Sequence, residues 1–229
     1  HILFRQSFLT GEIALIWVVT APDDLNWRKW VSEFGTELLN KFPKIICLAE
    51  NINPAPFKTL LGRDTRIILG RPRILEGIGE LRFLLSPVSS YQINPVQTEV
   101  LYQHVLDFAQ LTGTEKVLDV YCGVGTIALF LARSAAQVIG IEVVAEAVAD
   151  AKRNAQLNGI KNAYFYKGTA EEWFKPESPG KQSRGRGKKY EKPAAAEVGI
   201  SKIQKMYVNQ GKPDDQGKPD IVVLNPPRG

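Results

Sequence analysis

Residues 116–142, KVLDVYCGVGTIALFLARSAAQVIGIE, constrain the fold more than any other stretch, because they read as strand, glycine turn, helix and strand in immediate succession. Residues 117–121 form a short apolar run suited to a buried parallel strand, and Gly123 and Gly125 let the backbone turn sharply and approach a ligand closely. Residues 126–133 are apolar nearly all round, as expected of a helix lying on a sheet, and residues 137–142 return as a second buried strand. The chain must therefore contain an α/β layer with a parallel sheet.

Two acidic positions narrow the ligand. Glu142 ends the second strand 17 residues after Gly125, where a carboxylate accepts hydrogen bonds from both hydroxyls of a ribose. Asp119 sits inside the first strand, ahead of the glycines. A dinucleotide fold wants G-x-G-x-x-G, which Gly123, Gly125 and Ala128 fit only loosely. The order Asp119, Gly123, Gly125 resembles instead the D-x-x-x-G-x-G of class I methyltransferases, in which S-adenosylmethionine lies over the turn. A dinucleotide enzyme and a purely structural turn are the alternatives.

With 229 residues and 44% hydrophobic content there is room for one large domain and one small one. The only cysteines, Cys47 and Cys122, cannot build a disulfide framework or a four-thiolate site, so no metal is expected. No apolar run reaches the length of a membrane span and no signal segment opens the chain, which points to a cytoplasmic protein without a membrane partner. The chain opens on His1 and stops within a motif, so it reads as a fragment lacking both ends. Its net charge of +5 resides in residues 176–219, which hold ten Lys/Arg against five Asp/Glu, while the remainder is balanced. The basicity thus describes one segment and no folded face.

Residues 1–90 read as a small α+β domain. Residues 12–20 suit a strand; Trp27, Trp30, Val31, Phe34, Leu38 and Leu39 recur at helical spacing, with Asp23 or Asp24 to cap the helix and Pro43 to close it. That spacing favours a buried helix face over base stacking. Residues 44–49, 66–69 and 81–85 are further strands. Residues 86–94, SPVSSYQIN, connect to a second helix with Asn94 as cap, Pro95 in the first turn and Gln97 completing a capping box. Val96, Val100, Leu101, Val105, Phe108 and Ala109 give that helix an apolar stripe, and Gly113 ends it.

Residues 145–158 form an alanine-rich helix stopped by Gly159, and residues 162–167 a third strand with Thr169 at its carboxyl end, where α/β sheets bind ligands. Residues 176–219 are rich in Lys, Gly, Pro, Ser and Gln and read as a basic, largely disordered insertion. Residues 221–224 restore a fourth buried strand, and Asn225-Pro226-Pro227 follows as a rigid strand-end turn that exposes an amide beside the ligand. Arg228 stands where amino-methyltransferases have an aromatic residue.

SPVSSYQIN, DVYCGVGTI, GIE at residues 140–142 and NPPRG, in this order, resemble the RNA uracil-C5 methyltransferase family, which makes 5-methyluridine in ribosomal or transfer RNA. The resemblance runs from about residue 60 to residue 229. It implies a Rossmann-like, class I S-adenosylmethionine-dependent methyltransferase domain over residues 91–229, truncated at its C-terminus and preceded by the small domain. It further implies donor contacts from Gln92, Tyr121, Gly123, Gly125, Thr126, Glu142, Thr169 and Asn225, with Asn225 also near the target base, where most members have aspartate. Ser90 replaces an aromatic residue that the family usually carries near that base, with Tyr91 beside it. In the family a cysteine thiolate adds to uracil C6, the methyl goes to C5, and a base removes the C5 proton before the thiolate leaves. That cysteine is expected after Gly229, so no catalytic residue is assigned within the chain, and Cys122 and Cys47 read as small buried residues. RNA is the implied partner of a monomeric enzyme, the fragment itself being inactive. An amino-methyltransferase with an Asn-Pro-Pro site and a non-catalytic donor- or RNA-binding module are the other readings.

Overall fold

The computed structural model describes residues 1–20, 25–55, 59–174 and 219–225. Asp23, Asp24, Pro226, Pro227, Arg228 and residues 176–218 of the expected insertion lie outside the described residues.

Strands β1 (Ile2–Gln6), β2 (Ile13–Val19), β3 (Ile45–Ile52) and β4 (Asp64–Gly70) form one sheet in that order. β2 and β3 run parallel, which requires a crossover between them, and helix α1 (Leu25–Lys41) supplies it; the outer pairs are antiparallel. Val31 packs into a cluster with Leu15, Trp17, Ile45 and Leu48. The expected buried aromatic face is only partly buried. Trp30 and Phe34 stack on each other with centroids 5.0 Å apart and stay 48% and 39% exposed, because α1 contacts β3 and β4 and leaves these rings over the β2 side.

β5 (Ile74–Ile78) and β6 (Leu81–Leu85) make a separate hairpin. β1 and β5 are short strands with alternating burial, whose pairing defines them more than their composition does. The free edge of β6 is closed by a helix. Asp150, Asn154 and Asn158 of α4 (Ala145–Leu157 and its cap) accept from the backbone N–H groups of Ser86 (3.3 Å), Leu84 (2.8 Å) and Arg82 (2.8 Å). Four helical residues rise about 6 Å and two strand residues about 6.6 Å, so side chains at i, i+4 and i+8 match every second strand amide.

The second sheet has the order β10 (Ile221–Leu224), β7 (Lys116–Val120), β8 (Gln137–Glu142), β9 (Ala163–Lys167), all parallel. The chain winds from β7 through α3 (Thr126–Leu131), β8 and α4 to β9 and α5 (Ala170–Phe174), and β10 then lies on the other side of β7. The crevice at a topological switch point thus opens between the carboxyl ends of β7 and β10. One apolar core runs from Ala14, Ile16 and Cys47 of the first sheet through Ile74 and Phe83 of the hairpin to Val117, Leu129 and Val138 of the second.

Helix α2 (Pro95–Ala109) begins as expected, with Asn94 Oδ1 accepting from the N–H of Gln97 at 3.2 Å, but it buries a different face. Pro95, Thr98 and Tyr102 are buried, whereas Val96, Val100, Leu101 and Phe108 of the expected stripe are exposed, Phe108 by 88%. The helix docks on α3 and β5 through Tyr102, whose ring meets Phe130 edge-on and whose hydroxyl finds a partner there. The helix ends at Gln110, in the left-handed region, ahead of Gly113. Among the described residues no helix is long and apolar enough to cross a membrane.

Candidate functional site

The turn after β7 is built from left-handed backbone. Tyr121 has φ +64, Gly123 φ +55 and Gly125 φ +85, an unusual concentration that in Tyr121 includes a side chain at a cost of about 1 kcal/mol or more. The Cys122 N–H donates to the Ile141 carbonyl at 3.0 Å and the Gly125 N–H to the Cys122 carbonyl at 2.9 Å, which close the turn over the start of α3. The two glycines serve different ends. A Cβ on Gly125 would lie 2.9 Å from the Phe165 ring, so Gly125 permits helix and sheet to approach, whereas a Cβ on Gly123 would meet nothing within 4 Å among the described residues. The space over Gly123 is open with respect to those residues.

Glu142 reaches this turn from the end of β8. Its Oε2 accepts from the Gly123 N–H at 3.1 Å and its Oε1 from the Val144 N–H at 3.0 Å. Each carboxylate oxygen retains acceptor capacity for a hydroxyl donor. Beneath the turn, Asp119 is wholly buried; its Oδ2 accepts from the Ala128 N–H at 3.0 Å, and its Oδ1 has no hydrogen-bond partner among the described residues. Burial, opposed by the Ala128 hydrogen bond and reinforced by the nearby Glu142 charge, pushes the Asp119 carboxyl up to about 7.

Thr126 opens α3, and its Oγ1 lies 2.8 Å from the Tyr102 hydroxyl. The Gln92 side chain lies near the same hydroxyl, in the loop before α2. Thr169 follows β9, its carbonyl accepting from the Trp173 N–H of α5, and the Gly168 N–H donates to the Glu142 carbonyl at 3.1 Å, so the ends of β8 and β9 are joined. Asn225 is exposed and directly follows Leu224, the register partner of Val120, so it stands beside Tyr121. The eight residues expected at the site thus occupy the carboxyl ends of all four strands and the loop before α2.

Other expected residues face elsewhere. Tyr91 turns inward, its ring against Phe83 and its hydroxyl donating to the Gly77 carbonyl at 3.2 Å; Ser90 is exposed. Cys122 is buried against Gly140, and burial raises its thiol, opposite to what a nucleophile needs; burial pushes Cys47 up to about 11. Among the described residues no cluster of His, Cys, Asp and Glu could hold a metal. A concavity lined by Trp27, Arg28, Val31, Glu50, Arg66, Ile67 and Ile68 belongs to the first sheet and contains none of the site candidates.

Sequence reasoning missed three side chains around the turn. Tyr102 holds Thr126, Asn154 Nδ2 donates to the Val124 carbonyl at 3.0 Å, and Asp150 gathers Arg73 (2.8 Å), Arg153 (3.1 Å) and the Ser86 hydroxyl. Asp150, Asn154 and Asn158 stand at i, i+4 spacing on one helix, a spacing that does not by itself say what they face.

A family model described as a methyltransferase domain matches residues 111–182. A Bacillus cereus (ATCC 10987) protein named an uncharacterized RNA methyltransferase is 41% identical over 179 residues, 76% of this chain and 38% of the relative. An Enterococcus faecalis (V583) protein of the same description is 36% identical over 228 residues, 100% of this chain and 41% of the relative. The chain spans about two fifths of the length of these curated relatives. The crystal structure of Pyrococcus abyssi tRNA (uracil-54, C5)-methyltransferase in complex with S-adenosyl-L-homocysteine is similar over 73% of this chain and 38% of that chain, with TM-score 0.54 and 24% identity. At that identity the likeness is one of fold, and with the parallel sheet and the matching family model it identifies residues from about 111 onward as a class I methyltransferase domain.

Proposed function

We propose that this chain is the donor-binding part of an RNA uracil-C5 methyltransferase, with S-adenosylmethionine lying over the 121–125 turn. The observation that carries the reading is the open space over Gly123, bounded by the Glu142 carboxylate at a topological switch point. The donor fits these groups chemically. Glu142 accepts from the ribose hydroxyls, the turn from Tyr121 to Gly125 brings bare backbone against the ligand, and Thr169 flanks the adenine. Gln92 and Thr126 hold the amino-acid end, and Asn225 stands between donor and target base. The Oδ1 of Asp119, partnerless among the described residues, adds a buried negative pole suited to a cationic ligand.

When bound, the donor supplies an electrophilic methyl. The chain's own residues orient it, and Tyr121 and the buried face beneath the turn keep water from that side. Neither Cys122 nor Cys47 is suited to attack uracil C6, so the nucleophile is a cysteine beyond Gly229. The names of the relatives support RNA as the substrate, and the resemblance carried by SPVSSYQIN, DVYCGVGTI and NPPRG supports uridine C5.

The test is to incubate the full-length protein with unmodified ribosomal and transfer RNA and labelled donor, and to identify the methylated nucleoside by mass spectrometry. 5-Methyluridine is expected. A methyl on an exocyclic amino group would instead support the amino-methyltransferase reading that Asn225-Pro226-Pro227 suggests, and no methylated nucleoside would refute the activity.

A further inference from the structure

We propose that Tyr102 is a positioning residue that fixes the Thr126 hydroxyl as a hydrogen-bond donor toward the carboxylate of the methyl donor. The inference rests on the donor-binding reading above.

Tyr102 is 1% exposed, and its ring is locked edge-on against Phe130 with centroids 5.5 Å apart. Its hydroxyl lies 2.8 Å from Thr126 Oγ1, with the Gln92 side chain of the 86–94 loop nearby. A buried phenol must place its proton on an acceptor, and Thr126 Oγ1 is the acceptor within hydrogen-bond distance among the described residues, so the phenol donates to Thr126 and the Thr126 proton is left to point away from Tyr102. A buried chain of this kind is polarised in one direction.

That direction selects the ligand group. Glu142, at the other end of the turn, is an acceptor and pairs with ribose hydroxyls. Of the two polar groups at the amino-acid end of the donor, the ammonium cannot accept and the carboxylate can. Tyr102 therefore acts through Thr126, beside the 86–94 loop that carries Gln92. Arg5 reinforces that loop from the first sheet by donating to the Ser86 carbonyl at 2.9 Å and to the Ser89 carbonyl.

The experiment is calorimetry on the full-length protein with two probes, S-adenosylhomocysteine and its decarboxylated analogue S-adenosyl-3-thiopropylamine, which keeps the ammonium and lacks only the carboxylate. Tyr102→Phe, which keeps the ring, is expected to weaken S-adenosylhomocysteine roughly 5- to 20-fold and to leave the decarboxylated analogue within about twofold. Thr126→Val should show the same split, and Tyr102→Phe added to Thr126→Val should cost nothing further. Equal losses for both probes, additive losses in the double variant, or no loss in Tyr102→Phe would each overturn the inference. A wild-type protein that binds neither probe would overturn the donor reading, and this inference with it. Tyr102→Phe also has a readout that packing does not move, since the split between probes should persist at temperatures well below the melting point of every variant.

Discussion

The Asn154 side chain holds the Val124 carbonyl with its Nδ2 at 3.0 Å while its Oδ1 accepts from the Leu84 N–H at 2.8 Å. One fully buried amide therefore joins the turn of the second sheet to the edge of the β5–β6 hairpin. Both of its partners are backbone groups, the Val124 carbonyl buried and the Leu84 N–H on the edge of β6 that no strand covers among the described residues.

Asn154→Leu should therefore destabilise the protein by about 2 to 5 kcal/mol, since it leaves a buried carbonyl and an edge-strand N–H unpaired while preserving volume. Urea unfolding of the two proteins measures this. A loss under about 1 kcal/mol would mean that water replaces the amide and that the hairpin is not held by this contact. The same variant should also weaken donor binding, because Val124 lies between the two glycines of the turn.

Alanine at the two glycines should separate stability from binding. Gly125→Ala combines φ +85 with a Cβ 2.9 Å from Phe165 and 3.1 Å from Ala151, and should cost roughly 2 to 4 kcal/mol. Gly123→Ala has φ +55 and no neighbour within 4 Å among the described residues, so its cost should stay near 1 kcal/mol while its methyl intrudes on the ligand space. Thermal melts and calorimetry on both variants test the pair. A Gly123→Ala protein that binds S-adenosylhomocysteine normally would move the ligand off the turn.

The contrast between these residues shows where sequence reasoning has purchase. The second sheet was legible because its inner strands, with Val117, Leu118, Val120, Val138, Ile139 and Ile141, are buried on both faces and appear as apolar runs regardless of what packs on them; β10, expected as a fourth buried strand, lies at the sheet edge among the described residues with Val222 and Leu224 exposed. The turn was legible because left-handed backbone demands glycine at specific places. The α2 face was misread because periodicity identifies an apolar stripe and not its partner: Tyr102, half polar by composition, is the buried residue, while Phe108 is exposed. Asp150, Asn154 and Asn158 resemble the solvent side of a helix, and only the pairing of strand β6 reveals them as its edge. Their carboxylate and amide acceptors replace a missing neighbour strand, a relationship between segments some 70 residues apart that no local pattern encodes.

Glu142→Ala should weaken S-adenosylmethionine by about 1 to 3 kcal/mol through lost charge-assisted hydrogen bonds. The carboxylate also satisfies the N–H groups of Gly123 and Val144, so part of the loss would come from a loosened turn. Glu142→Gln separates the contributions: its amide oxygen can keep one of those N–H bonds but presents a donor where the second ribose hydroxyl wants an acceptor. Calorimetry showing unchanged affinity in both variants would remove Glu142 from the ligand site.

Asp119 gives the site a pH dependence of definite sign. Its carboxyl is raised from an ordinary value of 3.8 to about 7 in the folded protein, so the native state holds the proton more tightly than the unfolded chain. The stability this supplies is fully present below about pH 4 and is lost as the pH rises through about 7. Other groups titrate in that range, including exposed carboxylates, so the informative quantity is the difference from Asp119→Asn, whose amide mimics the protonated acid. Between pH 5 and pH 8 the wild type should lose roughly 2 to 4 kcal/mol relative to Asp119→Asn in urea unfolding. Equal pH profiles would place the Asp119 proton outside the folding equilibrium. A cationic donor reverses the preference: its positive charge near Oδ1 favours the ionised carboxylate, so binding near pH 6 should expel a proton. Calorimetry in buffers of different ionisation enthalpy would detect that release in the wild type and not in Asp119→Asn, and a wild type with no buffer dependence would mean that the donor's charge does not reach the buried oxygen.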